Sequence, residues 1–262
     1  MVDDQIGISK CGLDSALTTA HLNSQTNIKK LQFGASKCHK MHIGKRDIVC
    51  TDNKIDTWKL EQVDDIPCSI LDLVDKEGEF YTMENVSSEK YLGDFIQSNG
   101  KNDINIQERM NRGKGAINQI CQMLSDLCLG SYYFEAVNLL RNSLLLSSLL
   151  CNSESWYNLT QKDISNLESI DEMLLRKSFS AHSKTAIELL YLESGNVPIR
   201  FILMSRRINF LWYILHENEE SLLYKFFKAQ CQHPVKSDWV NTVKKDLSDL
   251  DIKLNFEQIK NI

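Results

Sequence analysis

From residue 101 to about residue 250 the apolar side chains recur every three or four positions, and most segment breaks carry a helix-start or helix-stop residue. Such a stretch is satisfied by helices packed on one another. Asp103 is placed to cap a helix reaching about Leu127, which Gly130 ends. Residues 132–150 read as one very apolar helix. Thr160-x-x-Asp163 has the form of a capping box with Asp in place of Glu, and Ile164, Leu167, Ile170, Leu174 and Leu175 follow at helical spacing. Residues 184–192 predict a helix stopped at Gly195-Asn196. Pro198 suits the first turn of the next helix, which runs to His216. Residues 221–230 and 238–250 complete the set.

The first hundred residues are patterned differently. Residues 5–9 alternate polar and apolar as a half-buried strand does, Gly12 breaks the run, and Asp14 is a good cap for a helix to about Gln25. Residues 38–43 read as a strand ending at Gly44. Residues 52–90 are acidic and weakly patterned, with Trp58-Lys59-Leu60 the best strand candidate. Residues 91–96 read as one strand, turned by Ser98-Asn99-Gly100. The expected class is therefore α+β, with a mixed part over 1–100 and a helical part over 101–262.

A hydrophobic share of 42% against 25% charged residues is that of a folding chain with a sizeable core. No apolar run is long enough to span a membrane. The richest, 139–151, is interrupted by Arg141, Asn142 and several serines, so no membrane partner is expected. Met1-Val2-Asp3-Asp4 lacks the basic-then-apolar order of a secretory signal. The 8 cysteines form no C-x-x-C pair, and with no secretory signal reduced thiols are expected, in an intracellular protein of the nucleus or cytoplasm. Zinc sets built from Cys38, His39 and His42, or from Cys231 and His233, fall short of four ligands at a finger spacing.

A net charge of −5 disfavours a nucleic-acid binder until its distribution is read. Lys29, Lys30, Lys37, Lys40, Lys45 and Arg46 form a strip with no acid between them, whereas acids dominate from Asp47 to Asp94. Asp3 and Asp4 are adjacent carboxylates before a strand-like segment. Five further stretches follow in order. The first is Lys30-Leu31-Gln32-Phe33-Gly34-Ala35-Ser36-Lys37-Cys38, and the second is Lys90-Tyr91-Leu92-Gly93-Asp94-Phe95-Ile96. In the helical part stand Asn152-Ser153-Glu154-Ser155-Trp156, then Leu190-Tyr191-Leu192-Glu193-Ser194-Gly195 with Pro198, then Ser205-Arg206-Arg207-Ile208-Asn209-Phe210-Leu211-Trp212-Tyr213.

In that order and spacing these stretches resemble the back half of a reverse transcriptase of the non-LTR retrotransposon kind, from its catalytic Asp3-Asp4 box to about His216. Met1 stands where an aromatic is commoner, Gly34 replaces a frequent Asn, and Trp212-Tyr213 replaces a Gly-His pair. The resemblance implies a partial polymerase palm over 1–100, and a thumb with following helices over 101–262. It implies an RNA template and a DNA primer as partners. Asp3 and Asp4 would hold Mg2+, whose preference for oxygen ligands leaves room for substrate phosphates. Lys37 would assist the leaving pyrophosphate, and Tyr91, Leu92 and Gly93 would position the primer end. Lys40, Lys45, Arg46, Arg206 and Arg207 would meet the phosphate backbone. The family's first palm carboxylate and its fingers lie upstream of this box, so a chain inactive alone is expected. The alternative is a non-catalytic nucleic-acid-binding or helical interaction module.

Overall fold

The computed structural model describes residues 39–41, 72–74, 80–82, 84–126, 129–235 and 238–252. The chain divides into two compact units, Met1–Asn102 and Asp103–Ile262. The described residues are mostly helical with short paired strands, an α+β composition.

In the first unit β1 (His39–Lys40) pairs in parallel with β4 (Glu84–Asn85), and β2 (Asp72–Val74) pairs antiparallel with β3 (Phe80–Thr82). The stretch expected to be weakly patterned, 52–90, thus holds several short strands. A hairpin follows, of β5 (Ser88–Tyr91) and β6 (Asp94–Gln97). This corrects the expectation of one strand over 91–96. The chain reverses at Leu92-Gly93, and Tyr91 lies opposite Asp94. Both turn residues have positive φ, 47° and 92°, as a two-residue loop matched to the strand twist requires. The turn at Ser98-Asn99-Gly100 is also present, with Gly100 N–H donating to the Gln97 carbonyl at 3.0 Å. The expected strand over 5–9, the helix over 14–25 and the candidate Trp58-Lys59-Leu60 lie outside the described residues.

The second unit opens with α1 (Asp103–Asp126). After a 3-10 turn at Gly130–Tyr132 comes α2 (Tyr133–Leu140), which passes through a π turn at Arg141–Leu145 into α3 (Leu146–Leu149). A 3-10 turn at Ser153–Ser155 precedes α4 (Gln161–Ser178). Then follow α5 (Ile187–Ser194), α6 (Ile199–Leu215), α7 (Leu222–Gln232) and α8 (Trp239–Asp249).

Local chemistry sets many of these ends. Thr160 Oγ1 accepts from Asp163 N–H at 3.1 Å, and the Asp163 carboxylate accepts from Thr160 N–H at 2.9 Å, a complete capping box. Ser221 and Asp238 cap α7 and α8. Gly195 adopts the left-handed conformation that ends α5.

The uninterrupted helix expected over 132–150 carries the π turn instead. One extra residue per turn rotates the chain, so that Arg141 and several of the leucines after it face inward. Leu145, Leu149 and Leu150 are fully buried with Ile106, Ile117, Ile120, Leu167, Ile170 and Leu174. Each such side chain contributes roughly 1.5–3 kcal/mol on burial, before the entropy of ordering it. A second core joins Leu211 and Ile214 of α6 to Phe227 of α7 and to Val240, Val243 and Leu247 of α8.

Candidate nucleic-acid interface

The residues expected to carry chemistry divide sharply. Asp3, Asp4, Lys37, Lys45 and Arg46 lie outside the described residues. Lys40 is on β1 beside His39, whose Nδ1 sits 2.9 Å from the Glu89 carboxylate.

Tyr91, Leu92 and Gly93 form the tip of the β5–β6 hairpin. Leu92 is 66% exposed with a left-handed backbone, an arrangement that costs an L-residue with a Cβ about 1–2 kcal/mol. A glycine at position 93 suggests a close approach to another backbone. Among the described residues, however, a Cβ placed on Gly93 would meet nothing within 4 Å. Its role here is conformational, since its φ of 92° disfavours any side chain.

The three arginines of the basic α6 stretch have partners inside the unit. The Arg207 guanidinium is buried against Asp246 of α8, with Nε–Oδ2 at 2.5 Å and Nη2–Oδ1 at 3.0 Å. A phosphate contact by Arg207 would require breaking this two-pronged pair. Arg206 Nη1 donates to the Leu150 carbonyl and, at 3.2 Å, to Ser153 Oγ. Arg109, buried in α1, donates to the neighbouring Ser148 carbonyl at 3.3 Å. Two arginines from separate helices thus satisfy carbonyls at the C-terminal end of α3, where the helix dipole is negative. Arg200 holds Glu168 through two bonds of 2.7 Å, which raises the affinity of its guanidinium for its proton, with Glu168 as the chief cause.

The same unit holds a polar knot that the sequence pattern did not reveal. Arg141 donates to both Asp171 oxygens at 2.7 Å, to Asn196 Oδ1 at 3.0 Å and to the Val197 carbonyl at 3.2 Å. Tyr191 O–H donates to Asp171 at 3.1 Å. Burial, then the charge of Asp171, pushes the Tyr191 phenol up, so it stays a protonated donor. The signal available in the sequence was a lone Arg inside an apolar run, which a buried acid must answer.

One of these contacts joins two of the stretches singled out in the sequence, and others tie such a stretch to residues outside them. Arg206, from 205–216, grips Ser153, from 152–156. Asn196 and Val197, from 190–198, receive Arg141. Trp239 Nε1 donates to the Glu154 carbonyl at 2.8 Å. Trp156 is buried, and its indole N–H has no hydrogen-bond partner among the described residues. The described residues hold no group of three or more His, Cys, Asp or Glu placed to bind a metal, and no helix among them is long and apolar enough to cross a membrane. No protein-family profile, no curated protein and no solved structure matches the chain.

Proposed function

We propose that the chain is part of an RNA-directed DNA polymerase of the non-LTR retrotransposon kind. In this reading Asp103–Ile262 is its thumb with the helices that follow, and Met1–Asn102 is a portion of its palm. The observation that carries the reading is that the resembling stretches lie within one packed unit, held to one another or to the apolar run between 139 and 151. These stretches, 152–156, 190–198 and 205–216, are far apart in sequence. A set of motifs that pack as one body is what a domain scaffold leaves in a sequence.

Asp3 and Asp4 would hold magnesium, which would stabilise charge on the reacting phosphates. Lys37 would assist the leaving group. In this reading the Leu92 tip would serve the primer and the helical unit the duplex, with Arg207 remaining paired to Asp246. The test is a salt series for a primed RNA template. Affinity should fall linearly in log–log form, and changing Lys37, Lys40, Lys45 and Arg46 to Gln should flatten the slope by roughly 0.9 for each phosphate no longer neutralised. Salt-independent binding, or none, would refute the reading. It would favour a helical protein-interaction module, for which the exposed Trp212, Leu222 and Phe226 would be the contact residues.

A further inference from the structure

Asn99 is the only asparagine in the sequence that a glycine follows. Asn99-Gly100 lies in the turn between β6 and α1, where the chain passes from the first unit into the second. Asn99 is exposed. Its Oδ1 accepts from Lys101 N–H at 2.8 Å, while Gly100 N–H donates to the Gln97 carbonyl at 3.0 Å. Gly100 has a φ of 67°, and a Cβ added to it would meet nothing within 4 Å among the described residues.

These contacts bring the parts of a reaction together. The bond from Lys101 folds the Asn99 carboxamide back along the main chain, toward the Gly100 peptide nitrogen. The same N–H is aimed at the oxygen on which negative charge develops when that nitrogen attacks Cγ, so it acts as an oxyanion donor does. Glycine leaves the attacking nitrogen without a neighbouring side chain to crowd it. One contact opposes the attack, because Gly100 N–H must leave the Gln97 carbonyl before the nitrogen can lose its proton. A single hydrogen bond at an exposed turn contributes little net free energy, so this one slows the attack by only roughly two- to tenfold.

We propose that Asn99 is a site of spontaneous modification, converting through a cyclic imide with Gly100 to aspartate and isoaspartate. The Gly100 nitrogen loses its proton to water and forms a bond to Asn99 Cγ. The Cγ–Nδ2 bond breaks, and the side-chain nitrogen takes up a proton and leaves as ammonia. Water then opens the ring at either carbonyl. Opening at Cγ gives aspartate, and opening at the main-chain carbonyl gives isoaspartate. Water is the only co-reactant, and no group is oxidised or reduced. Either product carries a carboxylate where the carboxamide stood, just ahead of Asp103, the first residue of α1. Isoaspartate also lengthens the main chain by a methylene at the junction of the two units, which breaks the turn bond from Gly100 to Gln97. The site is independent of the function the chain serves.

The test incubates the full chain and a peptide of residues 96–102 side by side in neutral buffer. Digested samples are read by mass spectrometry and by enzymatic methylation of isoaspartate. Conversion at Asn99 should be roughly two- to tenfold slower in the folded chain than in the peptide. It should run well ahead of conversion at Asn142 and Asn152, each of which a serine follows. Gly100→Ala should slow conversion although its φ strains the turn, whereas a site governed by mobility alone would convert faster. Asn99→Gln should leave the junction unconverted over the same period. Conversion in the folded chain slower than the peptide by far more than about tenfold would show that the turn protects Asn99, and would overturn the proposal. Equal conversion at Asn142 or Asn152, or faster conversion in Gly100→Ala, would overturn it as well.

Discussion

Gly113 and Gly115 lie two residues apart in α1 and face opposite ways, so the same substitution should have opposite signs at the two sites. Alanine raises helix propensity by about 1 kcal/mol over glycine at either position. At Gly115 the new methyl meets nothing within 4 Å among the described residues, so nearly all of that gain should appear as stability. At Gly113 the methyl lies 2.8 Å from Ile170 Cγ2, well inside contact distance. Ile170 is buried and stiff about χ1, and its Cγ2 cannot move without its backbone. Overpacking of this kind costs about 1–3 kcal/mol. The net expectation is about 1 kcal/mol of stabilisation for Gly115→Ala and about 1 kcal/mol of destabilisation for Gly113→Ala. At roughly 2–4 °C per kcal/mol for a chain of this size, the two variants should melt about 4–8 °C apart on either side of the parent. Thermal unfolding followed by circular dichroism, with urea titration to compare slopes, measures it. A Gly113→Ala variant melting at or above the parent would refute the close contact of α1 with α4. A Gly115→Ala variant melting below the parent would show that residue 115 is packed in a way the fold does not contain.

Asp246→Ala should cost roughly 3–5 kcal/mol by stranding buried Arg207, whereas Arg207→Met with Asp246→Leu should recover most of that loss; urea midpoints of the two variants decide it. Glu172 is held above the ordinary carboxyl range chiefly by burial, with Arg176 opposing and Glu168, Asp171 and Glu188 adding. A folded carboxyl with a raised pKa binds its proton more tightly than the unfolded chain does, so stability falls as pH rises through that window. Glu172→Gln should therefore melt slightly higher than the parent at pH 7, with the difference gone below about pH 4; melting curves at the two pH values check both halves. Leu92→Asn should slow amide exchange across the hairpin, since asparagine tolerates the left-handed conformation that leucine resists. Unchanged or faster exchange there would contradict the turn.

The ends of the helices are the most legible feature, because a cap acts within three or four residues. Thr160 with Asp163, Ser221, Asp238 and Gly195 all stand where their side chains or backbone freedom predict. Pro198, expected inside the first turn, caps α6 from just outside it, with ψ at 147°. The hairpin is hidden for an equally local reason. Leucine at a left-handed turn position runs against its preference, so 91–96 looks like uninterrupted strand. Asp72–Val74 and Phe80–Thr82 escape notice because strands of three residues carry too little alternation to detect.

The candidate interface is legible only as residue types. Sequence by itself determined that the C-terminal part is helical, where most of its helices begin and end, and that a basic strip and a basic α6 stand in an acidic chain. It could not determine which charges are already taken. Arg207 meets Asp246 39 residues away, Arg206 meets Ser153 53 residues away, and Arg141 meets Asp171 30 residues away. An ion pair depends on distance in space, and only the packing of helices sets that distance. The same packing turned Gly113 inward and left Gly115 on an open face. In the sequence those two glycines are indistinguishable; in the fold Ile170 closes over one, and the other is clear of the described residues.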